Sequence, residues 1–268
     1  MRTSKFLSFL FVLAISLGFV SCSDDDDDTT PENPKTVKLP VKYETEDGTL
    51  GFYYTYDSNN RVIKMVGKYD DGDETITEIT YDANGQVSQT KSIEKDFESG
   101  DEYNEEYSFK YEGNKIMATR KDSEQADDII QLNDKGQLVS IKGWDGENQE
   151  FKFTYDSKGN ITTVENYNND VLSYKDTYTY DDKSGWNKNV NLPQWVGFYT
   201  PINLFLPAKV NNFLTLTEDS YEDGEVVHSE VSNIVYKYDS EGYPVEVEET
   251  LEGTVFKFKI TYEEKTVK

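Results

Sequence analysis

Apolar and polar positions alternate along most of the chain from residue 35 onward. An aromatic or β-branched residue fills every second position of many short runs, with Lys, Thr, Ser and Asp between them. The clearest runs are Tyr107, Phe109, Tyr111; Phe151, Phe153, Tyr155; Tyr174, Tyr178, Tyr180; Ile234, Tyr236, Tyr238; and Phe256, Phe258, Ile260, Tyr262. A period of two with such residues is typical of strands buried on one face. Helical periodicity is nearly absent outside one segment, so the pattern predicts an all-β fold.

A turn motif follows these runs and repeats along the chain. It reads Tyr-Asp, two variable residues, Gly, a polar residue and Val or Ile. Copies begin at Tyr56, Tyr81, Leu132, Tyr155 and Tyr238, with a shortened copy at Tyr111 and a partial one at Tyr180. We expect the Asp to accept hydrogen bonds from turn amides and the Gly to adopt a positive φ. Asn60 replaces the Gly in the first copy, and Asn is the next-best residue for that conformation.

The spacing of the motif predicts the number of strands. Copies recur roughly every 25 residues with one longer gap, which indicates about eight units and an insertion of about 34 residues. Each unit holds a second turn, such as Asp47-Gly48 or Asp223-Gly224. Two turns a unit predict about 16 strands in an antiparallel meander. We therefore expect one β domain over residues 37–268, as a soluble barrel or a strongly curled sheet.

The insertion, over about residues 184–217, is the one irregular piece. It is more apolar than its surroundings and contains Trp186, Trp195 and Tyr199. One interpretation is a loop or short helix that plugs the apolar interior of the sheet. The alternative is an aromatic platform that stacks on a ligand such as a sugar ring, with these three residues as the binding candidates. Trp195 and Tyr199 are four apart, so they would share one face of a helical turn.

The N-terminal region predicts export and lipid attachment. Arg2 and Lys5 precede an uncharged stretch over residues 6–20, which is too short to span a membrane and is typical of a signal peptide. Ser21-Cys22 then resembles a bacterial lipobox, although Phe19 stands where Leu, Val or Ile is usual. This resemblance implies a lipoprotein signal peptide over residues 1–21 and lipidation at Cys22. A plain secretory signal with an incidental Cys is the alternative.

Residues 22–36 form an acidic, Pro-containing tether. The five aspartates at positions 24–28 repel one another, so an extended segment is expected. The run resembles the acidic export signal of surface lipoproteins in the Bacteroidetes. That resemblance implies an outer-membrane location, anchored by lipid and facing the cell exterior. The alternative is a solvated spacer that holds the domain away from the membrane.

Composition excludes several classes of function. The formal net charge is −25, from 27 Lys and Arg against 52 Asp and Glu. A chain this acidic is a poor binder of nucleic acid or of an anionic membrane face. The lipid predicted on Cys22 is therefore the expected membrane contact. A single Cys and a single His exclude a disulfide framework, a Cys-based zinc cluster and a His-rich metal site.

No catalytic constellation stands out in the sequence. His228 lies in a strand pattern, where a place on the polar face is expected, and no hydrolase or phosphate-loop motif occurs. The acidic turn at residues 70–74 offers oxygen ligands for calcium, but a solvated hairpin tip is favoured because the EF-hand spacing is missing. We expect no enzyme activity, no metal site and no cofactor.

The repeat also carries a family resemblance. Its turns resemble the YD repeats of large bacterial shell and toxin-carrier proteins. The whole mature region is similar to an uncharacterised family of secreted lipoproteins from gut Bacteroidetes with a porin-like fold. A lipid-spanning barrel is not implied, because the non-aromatic face is rich in Lys, Glu, Asp and Thr rather than apolar.

Three functions remain open from the sequence. The first is a surface-anchored binding or accessory module for an extracellular glycan or protein ligand. The second is a structural or adhesive surface protein with no small-molecule site. The third, a glycan-active enzyme, would need two buried carboxylates about 5–10 Å apart in a cleft.

Overall fold

The computed structural model describes residues 36–144, 146–201 and 208–266. The predicted signal peptide, Cys22 and all of the tether before Thr36 lie outside the described residues. Within the described ranges no helix has both the length and the apolar character needed to cross a membrane.

Sixteen strands make up nearly all of the described chain, which confirms the all-β prediction. Their bounds are β1 Thr36–Thr45, β2 Gly51–Tyr56, β3 Val62–Lys68, β4 Glu74–Tyr81, β5 Val87–Lys95, β6 Glu102–Glu112, β7 Lys115–Arg120, β8 Asp128–Leu132, β9 Leu138–Gly143, β10 Gly146–Tyr155, β11 Ile161–Asn168, β12 Val171–Tyr180, β13 Phe213–Glu222, β14 Glu225–Tyr238, β15 Pro244–Leu251 and β16 Thr254–Thr266. A 3₁₀ helix, Gln194–Tyr199, lies between β12 and β13.

The strands form a closed antiparallel barrel in which each strand pairs with its neighbours in sequence. Closure comes from β1 and β16, whose register runs from Thr36 opposite Thr266 to Thr45 opposite Phe258. The meander of 16 strands is thus confirmed, and closure selects the barrel over the curled sheet. Because connections in a meander alternate between two ends, the Tyr-Asp turns all lie at one end, here called the repeat end. The other hairpins lie at the far end, and β1 begins at the repeat end.

The Tyr-Asp turns have the chemistry that the sequence predicts. In the second copy, Asp82 Oδ1 accepts hydrogen bonds from the amides of Asn84 and Gln86, both at 2.9 Å. Gly85 has a φ of 80° and Asn60 has a φ of 61°. The carboxylate therefore organises the turn, and the residue three places later takes the left-handed conformation.

The repeated tyrosine has a structural role that the sequence did not reveal. Its hydroxyl donates to a backbone carbonyl near the start of the preceding odd-numbered strand. Six pairs share this bond: Tyr56 with Pro40, Tyr81 with Val62, Tyr111 with Val87, Tyr155 with Leu138, Tyr180 with Ile161, and Tyr262 with Pro244. In the Leu132 copy, the side-chain amide of Gln131 donates instead to the Asn114 carbonyl at 3.1 Å. The tyrosine thus satisfies a backbone carbonyl in these six cases, whereas the hydroxyl of Tyr238 donates to the Asp181 carboxylate.

The two faces of the barrel differ in chemistry. Alternate residues point inward and form the apolar core. The outward positions carry cross-strand ion pairs, such as Lys175 with Glu165 at 3.0 Å and Lys257 with Glu248 at 2.8 Å. Charged pairs along the outer wall suit contact with water.

Candidate functional site

The connection between β12 and β13 folds back into the barrel interior. We call its described part, residues 181–201 and 208–212, the plug. It starts and ends somewhat earlier than the predicted 184–217, because β12 ends at Tyr180 and β13 begins at Phe213. All six residues of the 3₁₀ helix Gln194–Tyr199 are buried. The plug therefore supplies core from inside the barrel.

Polar contacts fix the plug to the wall. The Gln194 side-chain oxygen accepts a hydrogen bond from the Leu138 amide at 3.3 Å, and it lies 2.9 Å from the Tyr155 hydroxyl, whose one hydrogen is shared between this oxygen and the Leu138 carbonyl. The Trp144 indole donates to the Phe198 carbonyl at 2.6 Å. These contacts fix both ends of the 3₁₀ helix against β9 and β10.

Gly185 sits where the two limbs of the plug cross. A Cβ at this position would lie 1.7 Å from the carbonyl oxygen of Ala208. The crossing therefore requires a residue without a side chain. Nearby, the Lys209 ammonium donates to the Val190 carbonyl, and burial lowers the pKa of Lys209 to about 8.

The predicted ligand residues lie inside this plug. Trp186, Trp195 and Tyr199 are 4%, 2% and 1% exposed. Trp195 packs edge-on against Phe109 with ring centroids 4.6 Å apart, and Tyr199 packs against Tyr107 at 4.9 Å.

The three rings do not form one surface. Trp195 and Tyr199 lie together, with centroids 6.1 Å apart. Trp186 packs elsewhere, against Tyr43 at 5.7 Å. No ring face of these three residues is open in this arrangement, so a ligand would reach them only if the plug moved. Ligand binding at these residues stays a prediction.

A second region, which the sequence did not single out, is a row of carboxylates on the inner wall. Asp176 of β12 lies directly opposite Glu218 of β13, and Glu218 lies opposite Glu230 of β14. The alternation places these three on the same face as buried Tyr178, Leu216 and Ile234. We call Asp176, Glu218 and Glu230 the acid row.

Asp176 is the most buried member of the acid row, at 1% exposure. The Tyr178 hydroxyl donates to its Oδ2 at 3.0 Å, whereas its Oδ1 is buried without a hydrogen-bond partner. Burial raises the pKa of Asp176 to about 7, and the charge of Glu218 acts in the same direction. The hydrogen bond from the Tyr178 hydroxyl opposes that shift.

The carboxylates around Asp176 are also perturbed. Tyr174 donates to Glu218 Oε1 at 2.5 Å. Burial raises the pKa of Glu218 and the charge of Glu230 adds to it, while Tyr174 and His228 lower it. Glu249 of β15 is 5% exposed, and burial raises its pKa to about 7 despite a hydrogen bond from Ser232. His228 itself is exposed near the far end.

One signal in the sequence could have revealed the acid row. Asp176 occupies an inward position in the run Tyr174, Asp176, Tyr178, Tyr180, where the other residues are aromatic. A charged residue in a buried register is unusual unless it has a partner. Glu218 and Glu230 come from other strands, so their proximity to Asp176 was not visible in the sequence. Among the described residues, no three His, Cys, Asp or Glu side chains converge closely enough to enclose a metal ion.

Comparisons with known proteins give structural neighbours only. No protein-family model matches the sequence, and no curated protein is similar to it. A porin-like protein from Bacteroides uniformis is similar in structure, with 12% identity, a TM-score of 0.41, and coverage of 84% of this chain and 97% of that one. A porin-like protein from Bacteroides vulgatus has 16% identity, a TM-score of 0.44, and coverage of 85% and 99%.

Proposed function

We propose that the protein is a lipid-anchored surface protein that binds an extracellular ligand, such as a glycan or a protein, without catalysis. One observation carries the proposal: several hairpins of the far end carry highly exposed apolar side chains. Phe97 and Tyr103 flank the β5–β6 hairpin and are 73% and 61% exposed. Val226 and Val227 follow the β13–β14 hairpin and are 51% and 54% exposed. Val171 occupies the β11–β12 hairpin at 58% exposure. Exposed apolar groups on hairpins at one end of the barrel favour that end as a contact surface.

The direction of the chain supports this role. Cys22 precedes the start of β1 at Thr36 by 14 residues, which span at most about 50 Å when fully extended. Because β1 begins at the repeat end, the connection from a lipid on Cys22 would join the barrel at that end. The hairpins of the far end would lie at the end away from this attachment.

The wall and the plug support a water-exposed scaffold rather than a channel. The outer face carries ion pairs such as Lys237 with Glu246 at 2.5 Å, which would be costly in a lipid-facing belt. The plug occupies interior space that an open pore would need for water. The barrel would therefore serve as a rigid support for its loops.

Two rival functions remain for testing. A structural or adhesive protein would use the same far-end hairpins for flat contact, without a small-molecule site. A glycan-active enzyme would need an accessible carboxylate pair. Asp176 and Glu218 are cross-strand neighbours, but Asp176 is only 1% exposed, which disfavours contact with a substrate.

The ligand proposal is tested with a far-end variant in which Phe97, Tyr103, Val226 and Val227 are all replaced by Ser. The matched control replaces Val139 and Leu214, which are 38% and 36% exposed near the repeat end. On glycan arrays and on intact host cells, binding should be lost in the far-end variant and kept in the control. Equal binding by both, or no binding by the wild type, would reject the proposal.

The anchor is tested with Cys22→Ala. The variant should lose incorporation of labelled fatty acid and fractionate as soluble, since the acyl chains supply stable membrane attachment. A variant that still partitions into membranes, beside a wild type that incorporates no label, would contradict lipidation.

The orientation is tested by replacing the five aspartates at 24–28 with Ala. Acylation should continue, while digestion by protease added to whole cells should fall. Unchanged digestion would make the acidic run a spacer.

A further inference from the structure

We propose that the inner wall of β11, β12 and β13 binds a calcium-type cation through Asn166, Asp176 and Glu218. The site would lie within the barrel and does not depend on the surface function proposed above.

The proposal begins with two buried acceptors that have no donor. Asp176 Oδ1 and Asn166 Oδ1 are both buried without a hydrogen-bond partner. Asp176 as a whole is 1% exposed, so bulk water does not solvate that oxygen. An unsatisfied buried acceptor costs about 1–3 kcal/mol, and more when it is charged. A cation between the two adjoining strands would satisfy both acceptors.

The register places the three side chains within reach of one ion. Glu218 is directly opposite Asp176, a pairing that puts Cβ atoms roughly 4.5–5.5 Å apart. Asn166 is opposite Tyr174 and is therefore a diagonal neighbour of Asp176, at about 7–8 Å between Cα atoms. An Asp or Asn side chain spans about half of that distance, so one ion between them can contact both.

The surrounding charges favour a cation. Lys175 and Lys237 occupy the outer face, where they pair with Glu165 and Glu246. The inner face of β12–β14 carries the acid row and only His228 as a basic side chain. The negative charge of the row is therefore not balanced from within these three strands.

The ligand atoms select the class of cation. Two carboxylates and an amide carbonyl are oxygen ligands, which suit hard cations. Calcium accepts six to eight oxygens in irregular geometry and takes water for the remainder, whereas magnesium demands a near-octahedral set. Side chains fixed on a twisted barrel wall match the more tolerant ion.

Terbium luminescence tests the site, because Tb³⁺ replaces Ca²⁺ and is excited through nearby tyrosines such as Tyr174 and Tyr178. The full chain is purified in mild detergent, with the aspartates at 24–28 replaced by Ala to remove a competing acidic run. We expect saturable emission that Ca²⁺ displaces. Asp176→Asn should weaken the apparent affinity by at least about tenfold, since ligand charge tunes calcium affinity strongly.

The matched control is Asp219→Asn, which removes the same charge one residue after Glu218 but on the outer face. It should keep the emission and the displacement by Ca²⁺. Circular dichroism on each variant shows that the barrel is folded, and Asp176→Asn removes a buried charge without changing its volume.

Three results would overturn the proposal. They are no emission from the parent chain, equal emission from Asp176→Asn and Asp219→Asn, or emission that Ca²⁺ fails to displace. A melting temperature that rises on acidification but not with added Ca²⁺ would assign the acid row to protons alone.

Discussion

The barrel wall around the plug and the wall of β12–β14 that carries the acid row are built from the same alternating strands. Their inward side chains differ in chemistry. Around the 3₁₀ helix, inward rings such as Phe109 pack edge-on against Trp195 and Tyr199. On β12–β14, the inward positions include Asp176 and Glu218, whose pKa values burial raises. One region stabilises the fold through packing, and the other contains ionisable groups whose burial costs stability.

The regular alternation of the strands therefore does not determine the chemistry of the barrel interior. Alternation decides which residues point inward, while their chemistry decides whether the interior is core or site. Stabilising groups and functional groups often separate in this way, because buried charge is costly unless it is paired or neutralised. Four substitutions test how much these regions and the turns contribute to stability.

The largest effect is expected from Trp195→Ala in the plug. Truncation of a buried Trp costs about 3–5 kcal/mol, so the melting temperature should fall clearly in thermal denaturation. The aromatic control is Tyr103→Ala at the far end, which is 61% exposed and should change stability by no more than about 0.5 kcal/mol. Equal losses in the two variants would mean that the plug is not core.

The free energy of unfolding should depend on pH through Glu249 of β15, a buried carboxyl that also feels the charge of Glu218. The pKa of Glu249 rises to about 7 in the folded protein, so the folded state keeps a proton that the unfolded chain releases above about 4.5. The free energy of unfolding should therefore fall as pH rises from about 4.5 to 7, and then level off.

Glu249→Gln should remove that contribution. The variant should match the wild type near pH 4.5 and exceed it by up to about 3 kcal/mol at pH 8, measured by urea denaturation across the pH range. A difference between the two proteins that stays constant with pH would show that Glu249 is not responsible.

A smaller effect is expected from Tyr81→Phe at the repeat end. The substitution leaves the Val62 carbonyl without its donor, which costs about 1–2 kcal/mol. In the control Tyr167→Phe, the lost hydroxyl donates to Glu165 on the outer face, where water can replace it. Chemical denaturation that ranks the control as equally damaging would refute the role given to the repeated tyrosine.

The smallest effect is expected from Asn60→Gly in the first turn. Asn60 has a φ of 61°, which Gly adopts without strain, so stability should rise or stay level within about 0.5 kcal/mol. Gly85→Ala makes the opposite change at a φ of 80° and should lower the melting temperature. If both variants behaved alike, backbone conformation would not explain the choice of Gly in the motif.

Strand positions and turns could be predicted from the sequence because their determinants are local. The alternation in Phe151, Phe153 and Tyr155 places a strand, and the Asp and Gly that follow define its turn. Spacing gave the strand number, and a change in composition located the insertion. The interpretation of the insertion as a plug rested on its many apolar residues, which require burial.

Other features depended on contacts between distant parts of the chain. The sequence left open whether β1 meets β16, and that contact closes the barrel. It predicted a shared face for Trp195 and Tyr199, but only the tertiary structure showed that this face packs against Phe109.

By itself, the sequence determined the strands and the turns, since each depends on neighbouring residues. The tertiary structure alone decided the closure, the burial of the aromatic insertion and the acid row. Asp176 and Glu218 are 42 residues apart, and no local pattern records that they face one another. Cross-strand register brings them together, and register is set by how all sixteen strands pair around the barrel.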